Sequence, residues 1–85
     1  MISYDDIAML APGTPLSSLK ENQMKALKSS FKEANVTTEV SAFKDLSDVT
    51  HLITAFEDSP DKHIRSAMET IRTGIEKAFN DPTDV

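Results

Sequence analysis

The chain contains no cysteine and no tryptophan, only two glycines, and one Tyr and four Phe as its aromatic residues. Without cysteine there is neither a disulfide nor a thiolate metal site. Small secreted domains generally depend on such staples, so an intracellular, cytoplasmic setting is expected. The segment Met1–Ala11 carries Asp5 and Asp6, and the first basic residue is Lys20. A secretory leader would need a basic start followed by an apolar run, and none is expected here. No apolar run approaches 18 residues, so no transmembrane helix and no membrane partner are expected. The glycines, Gly13 and Gly74, stand far apart, which excludes a glycine-rich phosphate loop.

Positive charge is also scarce, and the net charge is −5. General nucleic-acid binding draws most of its affinity from attraction to phosphate, so nucleic acid is not an expected partner. The basic residues are unevenly placed. Leu16–Ala34 carries four Lys against two Glu, whereas Asn35–Ser59 carries Lys44 against Glu39, Asp45, Asp48, Glu57 and Asp58. A chain polarised in this way can orient a charged partner, including a second copy of itself.

What is present in abundance is helical periodicity. The clearest case is Ser59–Asn80. Ser59 is suited to cap a helix and Pro60 to its first position, where a missing N–H is harmless. Ile64, Met68, Ile71, Ile75 and Ala78 then recur at steps of 4, 3, 4 and 3, which lays one apolar seam along a helix. Asn80-Asp81-Pro82 is a stop signal, and Asp81–Val85 is expected to fray.

Three further helical segments are read. The first is short: Ser3 can cap it, Asp5 and Asp6 suit the positive end of its dipole, Ile7 and Leu10 give it an apolar edge, and Pro12-Gly13 ends it. The second runs to Ala34, starting at Pro15 or at a Ser18/Glu21 capping box. Its stripe is Leu16, Leu19, Met24, Leu27, Phe31 and Ala34, with Asn35 as a left-handed terminator. A further helix starts at Asp45 or Ser47 and carries Val49, Leu52, Ile53 and Phe56. Val36–Phe43 has strand-like residues, but the spacing of Val36, Val40, Phe43 and Leu46 also fits a helical turn or two capped by Thr37. The helical reading is preferred because no second strand exists for pairing. The expected fold is therefore one all-α domain over residues 1–85, a small bundle of three main helices plus a short N-terminal one.

Constellations with chemical potential are few. Ser47, Asp48 and His51 lie within one helical turn, but hydrolysis also needs an oxyanion hole and a water-excluding cleft, for which a bundle this small has little volume. Asp48 is better read as a helix-start residue and His51 as a surface histidine. His51 and His63 sit on different helices with no second ligand at helical spacing. Asp58–Asp61 lacks the glycine and the terminal Glu of a calcium loop. Attachment of a phosphopantetheine arm would need Asp-Ser-Leu, whereas Asp58-Ser59 is followed by Pro60. No catalytic, metal or cofactor signature is present, and no cofactor is expected.

Two features point to recognition of another macromolecule. Lys25, Lys28 and Lys32 form a stripe on one side of the second helix, away from its apolar face. Gly74 sits mid-helix, where it lowers helix stability by ~1 kcal/mol relative to Ala and permits close approach of another helix. The expected function is a small non-enzymatic protein-interaction module: a regulator, adaptor or inhibitor that binds a protein of unknown identity, with a homodimer as a candidate assembly. Its size and composition would suit a bacterial or phage accessory protein. The alternative is a DNA-binding or transcription-associated dimer that uses the second helix or Asn35–Lys44, which faintly echoes a helix-turn-helix although Glu39 and Asp45 oppose Lys44 there.

Overall fold

The computed structural model describes residues 1–80, and the expected fraying of 81–85 lies outside them. Among the described residues the fold is an all-α bundle of four α-helices: α1 (Tyr4–Leu10), α2 (Glu21–Glu33), α3 (Leu46–Phe56) and α4 (Lys62–Asn80). Single 3₁₀ turns lie at Leu16–Ser18 and Val40–Ala42. α4 packs against each of the other three helices. No helix among the described residues is long and apolar enough to cross a membrane.

α1 begins as its sequence dictates. Ser3 Oγ accepts the Asp6 N–H at 3.3 Å, and the Asp6 carboxylate accepts the Ser3 N–H at 3.5 Å, a reciprocal cap on two otherwise unpaired donors. Seven residues cannot hold a helix unaided, so tertiary contacts must fix it. The Asn80 side-chain amide brackets Ile2, accepting its N–H and donating to its carbonyl, both at 2.7 Å. Glu76 accepts the Tyr4 N–H at 3.2 Å. The inward edge of α1 differs from the expected Ile7/Leu10 pair. Tyr4, Ile7 and Ala11 are buried at i, i+3 and i+7, while Leu10 is turned away and is 62% exposed.

α2 starts later than either expected point. The Leu16 N–H donates to the Lys44 carbonyl and the Leu46 N–H to the Thr14 carbonyl, both at 2.9 Å. This bridge between Pro15 and Asp45 draws residues 14–16 away from a helical path. Ser18 Oγ donates to the Pro15 carbonyl instead of capping with Glu21. The Lys20 N–H is held by the Gln23 side chain at 2.9 Å, and the helix follows from Glu21. Its end matches the sequence. Asn35 has φ +58°, the Val36 N–H returns to the Phe31 carbonyl and the Asn35 N–H to the Lys32 carbonyl, both at 3.1 Å. These two bonds satisfy carbonyls that a helix end leaves free. Val36–Phe43 is neither strand nor a full helix. It holds one 3₁₀ turn, which begins after Glu39 and not at Thr37.

α3 starts at the earlier of the two expected points. Asp45 precedes the helix, and the Asp48 carboxylate accepts the Asp45 N–H at 3.1 Å. Leu46, Val49, Thr50 and Ile53 are buried, while Phe56, expected on the apolar face, is 44% exposed at the helix end.

The seam of α4 is realised, with Met68, Ile71, Ile75 and Ala78 buried and Ile64 half-buried. Its start is not. Were Ser59 the cap, its carbonyl would accept the His63 N–H. The Arg65 guanidinium takes the Ser59 carbonyl at 2.8 Å and that of Pro60 at 3.1 Å. The His63 N–H goes to Asp61 Oδ1 at 2.8 Å, and the Arg65 N–H reaches the Asp61 carbonyl at 3.1 Å. Asp61 is thus the capping residue, and Ser59 accepts the Asp61 N–H one step outside the helix.

α2 and α4 run antiparallel, with Ala34 and Val36 beside Ile64 and Ala67, and Ser30 beside Gly74. At that last point the two helices nearly touch. A β-carbon at Gly74 would lie 1.5 Å from Ser30 Oγ and 2.5 Å from Ser30 Cβ. Ser30 is buried, and its hydroxyl donates to the Ala26 carbonyl within its own helix at 2.9 Å. The mid-helix glycine is therefore an internal contact point.

Two outcomes follow for stability. Asp61→Ala is expected to lower the unfolding free energy by ~1 kcal/mol and Ser59→Ala by less than half as much; chemical denaturation showing the reverse order would restore Ser59 as the cap. Gly74→Ala gains ~1 kcal/mol of helix propensity but must push α2 away, and overpacking of this kind destabilises by ~1–3 kcal/mol. A net loss of stability is expected in urea titrations, whereas a gain would contradict the close contact.

Candidate protein-interaction surface

α2 presents three sides. Leu27 and Phe31 face the core, Ser30 faces α4, and Lys25, Lys28 and Lys32 are exposed on the remaining side. The spacing of 3 and 4 sets the three ammonium groups on one flank, as the 3.6-residue period requires. Lys25 also reaches Glu21 at 3.5 Å in an exposed i, i+4 pair, an interaction of ~0.3–0.5 kcal/mol that a partner's carboxylate can replace.

Lys28 and Lys32 do not stand on a plain helix surface. They form one rim of an open groove of about 420 Å³ whose floor is Phe31, Val36 and Val40. Thr37, Thr38, Glu39 and Ser41 form the opposite rim. The left-handed turn at Asn35 makes this shape, since it reverses the chain and lays Val36 back beside Phe31. Phe43 supports the floor from behind, with its ring edge-on to Phe31 at 5.8 Å between centroids. An apolar floor with a cationic rim on the α2 side, and hydroxyls with the Glu39 carboxylate on the other, suits a side chain or short segment that is apolar in the middle and anionic only on the lysine side.

A second groove, of about 610 Å³, runs between α2 and α4. Ser29, Ser30, Thr70, Thr73 and Gly74 line its middle, Glu33 and Glu69 one end, and Lys77 the other. Gly74 therefore lies at the base of an exposed groove and against α2 at once.

The other residues singled out in the sequence are engaged differently. Asp48 accepts the N–H groups of Lys44 and Asp45, and Ser47 donates to Asp45, so both serve the start of α3. His51 and His63 are exposed on α3 and α4. Among the described residues no three His, Cys, Asp or Glu side chains gather as a metal-binding group. Asn35–Lys44 carries no helix beyond its single 3₁₀ turn, so the faint helix-turn-helix echo does not produce a recognition helix.

One cluster had no signal in the sequence. The Arg72 guanidinium lies 4.5 Å from the centroid of the Tyr4 ring and pairs with Glu57 at 3.0 Å. It ties α1 and the end of α3 to α4 through a cation–π contact and a partly exposed ion pair. Burial pushes the Tyr4 hydroxyl above its ordinary pKa, partly opposed by Arg72. Neither the seam of α4 nor the edge of α1 reveals such a cross-chain pairing, since Arg72 reads simply as an off-seam charge.

No family model matches the chain, and no curated protein or solved structure matches it at a significant level.

Proposed function

We propose that this chain is a small, non-enzymatic, cytoplasmic protein-interaction module, a regulator, adaptor or inhibitor that acts by binding a protein. The partner segment is acidic and carries at least one apolar side chain. The observation that carries the reading is the groove beside α2, where Lys28 and Lys32 rim an apolar floor of Phe31, Val36 and Val40. In a chain of net charge −5 the Leu16–Ala34 segment that supplies this rim carries four Lys against two Glu. The lysines would steer an acidic segment and the floor would bury its apolar residue, which divides orientation from affinity in the usual way. A second copy of the chain is a further partner in this proposal.

The test is an affinity pull-down from the native host, with mass spectrometry of the co-eluting proteins, using the wild type and the triple variant Lys25→Glu, Lys28→Glu, Lys32→Glu. These side chains are exposed, so the far-UV circular dichroism of the variant is expected to match the wild type. A specific protein should be captured by the wild type, be released by raised salt, and be lost in the variant. Tight wild-type binding of duplex DNA at physiological salt, lost in the variant with a reduced salt slope, would replace this reading with the DNA-binding one. Capture unchanged by the reversal would reduce the stripe to a solvated helix face.

A further inference from the structure

The groove between α2 and α4 has a charge pattern that its position on a two-helix face makes informative. Glu33 and Glu69 stand at one end and Lys77 at the other, with uncharged small side chains between them. On α4, Glu69 and Lys77 lie four residues to either side of Thr73. On α2, Glu33 lies four residues beyond Ser29, at the same end as Glu69. Ser29 and Thr73 both adjoin the Ser30–Gly74 contact. The groove therefore changes sign along α4, about a centre at Thr73.

We infer that this face binds a second copy of the chain, in a two-fold dimer whose axis crosses the helix pair at the Ser30–Gly74 contact. A two-fold axis places each surface point on its own mirror position along the helices, so an isologous interface must be complementary to itself. Most charged faces fail that requirement, because like charges meet. Here the rotation brings each Glu69 to the partner copy's lysine at position 77. Thr73 meets its own counterpart on the axis. The short side chains of the middle let helix backbones come close, as the Ser30–Gly74 contact already does within one chain. The lysine-rimmed groove lies on the other flank of α2 and stays open in such a dimer. The inference deepens the candidate of a second copy as partner but does not rest on the lysine-rimmed groove, and its variants leave Lys28 and Lys32 untouched.

Within one chain Glu69 and Lys77 are eight residues apart on α4, about 12 Å along the axis, too far to pair with each other. A charge swap is therefore diagnostic. Sedimentation equilibrium of the full chain is expected to show a monomer–dimer equilibrium that weakens as salt is raised. Glu69→Lys alone, or Lys77→Glu alone, sets like charges together twice per dimer and should raise the dissociation constant about tenfold. The double variant Glu69→Lys with Lys77→Glu restores opposite pairs and should bring the constant back to within about threefold of wild type. Both positions are exposed, so unchanged circular dichroism is expected. Should a charge variant fail to fold, Thr73→Arg gives an independent reading, since it places two cations on the axis and should leave only monomer. A wild type that stays monomeric at millimolar concentration, a double variant as weak as the singles, or a dimer that survives Thr73→Arg would each overturn the inference. Capture of an acidic partner unchanged by the lysine reversal, with an intact dimer, would instead count against the lysine-rimmed groove alone.

Discussion

The arrangement depends on how closely two antiparallel helices can approach. At Ser30 and Gly74 the backbones of α2 and α4 come so near that α4 has no room for even a methyl group. Helix pairs usually keep 8–10 Å between axes because side chains separate them. Removing one side chain and shortening the opposing one lets the pair close up. α2 then touches α4 along one side and turns Leu27 and Phe31 to the core, so its lysines are left on the remaining side. α4, in contact with α1, α2 and α3, becomes the element on which the fold is assembled. Gly74 weakens α4 as an isolated helix, and the packing that it permits has to outweigh that loss.

Charge is organised around the same pair. The net charge is negative, yet α2 and the turn after it bring Lys28 and Lys32 beside an apolar floor. In the groove on the α4 side, acidic and basic residues stand at opposite ends. The bland reading of either pattern is solvation of a helix surface, which single exposed ion pairs such as Glu21–Lys25 fit well. What distinguishes the two grooves is the coupling of charge to shape. One joins cations to a buried aromatic floor, and the other joins a sign change to a close helix crossing. Arg72, stacked on Tyr4 and paired with Glu57, uses its charge internally.

Elements governed by local chemistry were readable from the sequence. The 4-3-4-3 seam of α4, the left-handed Asn35, the capping residues Ser3 and Asp45, and the exposure of the lysine stripe depend on residues within a turn or two of each other. Features set by distant contacts were not. α2 begins at Glu21 because Thr14–Leu16 is bridged to Lys44–Leu46, and nothing near Ser18 signals that bridge. The start of α4 is an exception: it is set locally, by Asp61 and by the Arg65 side chain on the carbonyls of Ser59 and Pro60, but Ser59-Pro60 carries the more familiar pattern of a helix start. Leu10 was exchanged for Tyr4 on α1 because the inward edge is set by where Asn80 and Glu76 grip the chain. Of the candidate site, Lys25, Lys28, Lys32 and Gly74 were visible as a stripe and an anomaly. The grooves beside them were not, since each needs a second segment, Val36–Ser41 in one case and α4 in the other.

α2 and α4 form one packed unit on which the other elements are assembled. Native-state amide hydrogen exchange tests it most directly, because it resolves which segments open separately from global unfolding. The amides of Leu27–Phe31 and Met68–Ile75 are expected to exchange most slowly and with a common opening free energy, equal to that of global unfolding. α1 and the 3₁₀ turns should open at lower free energy. Exchange of Leu27–Phe31 through a separate, easier opening while Met68–Ile75 stays protected would show that α2 is only an attached helix, and would contradict the account.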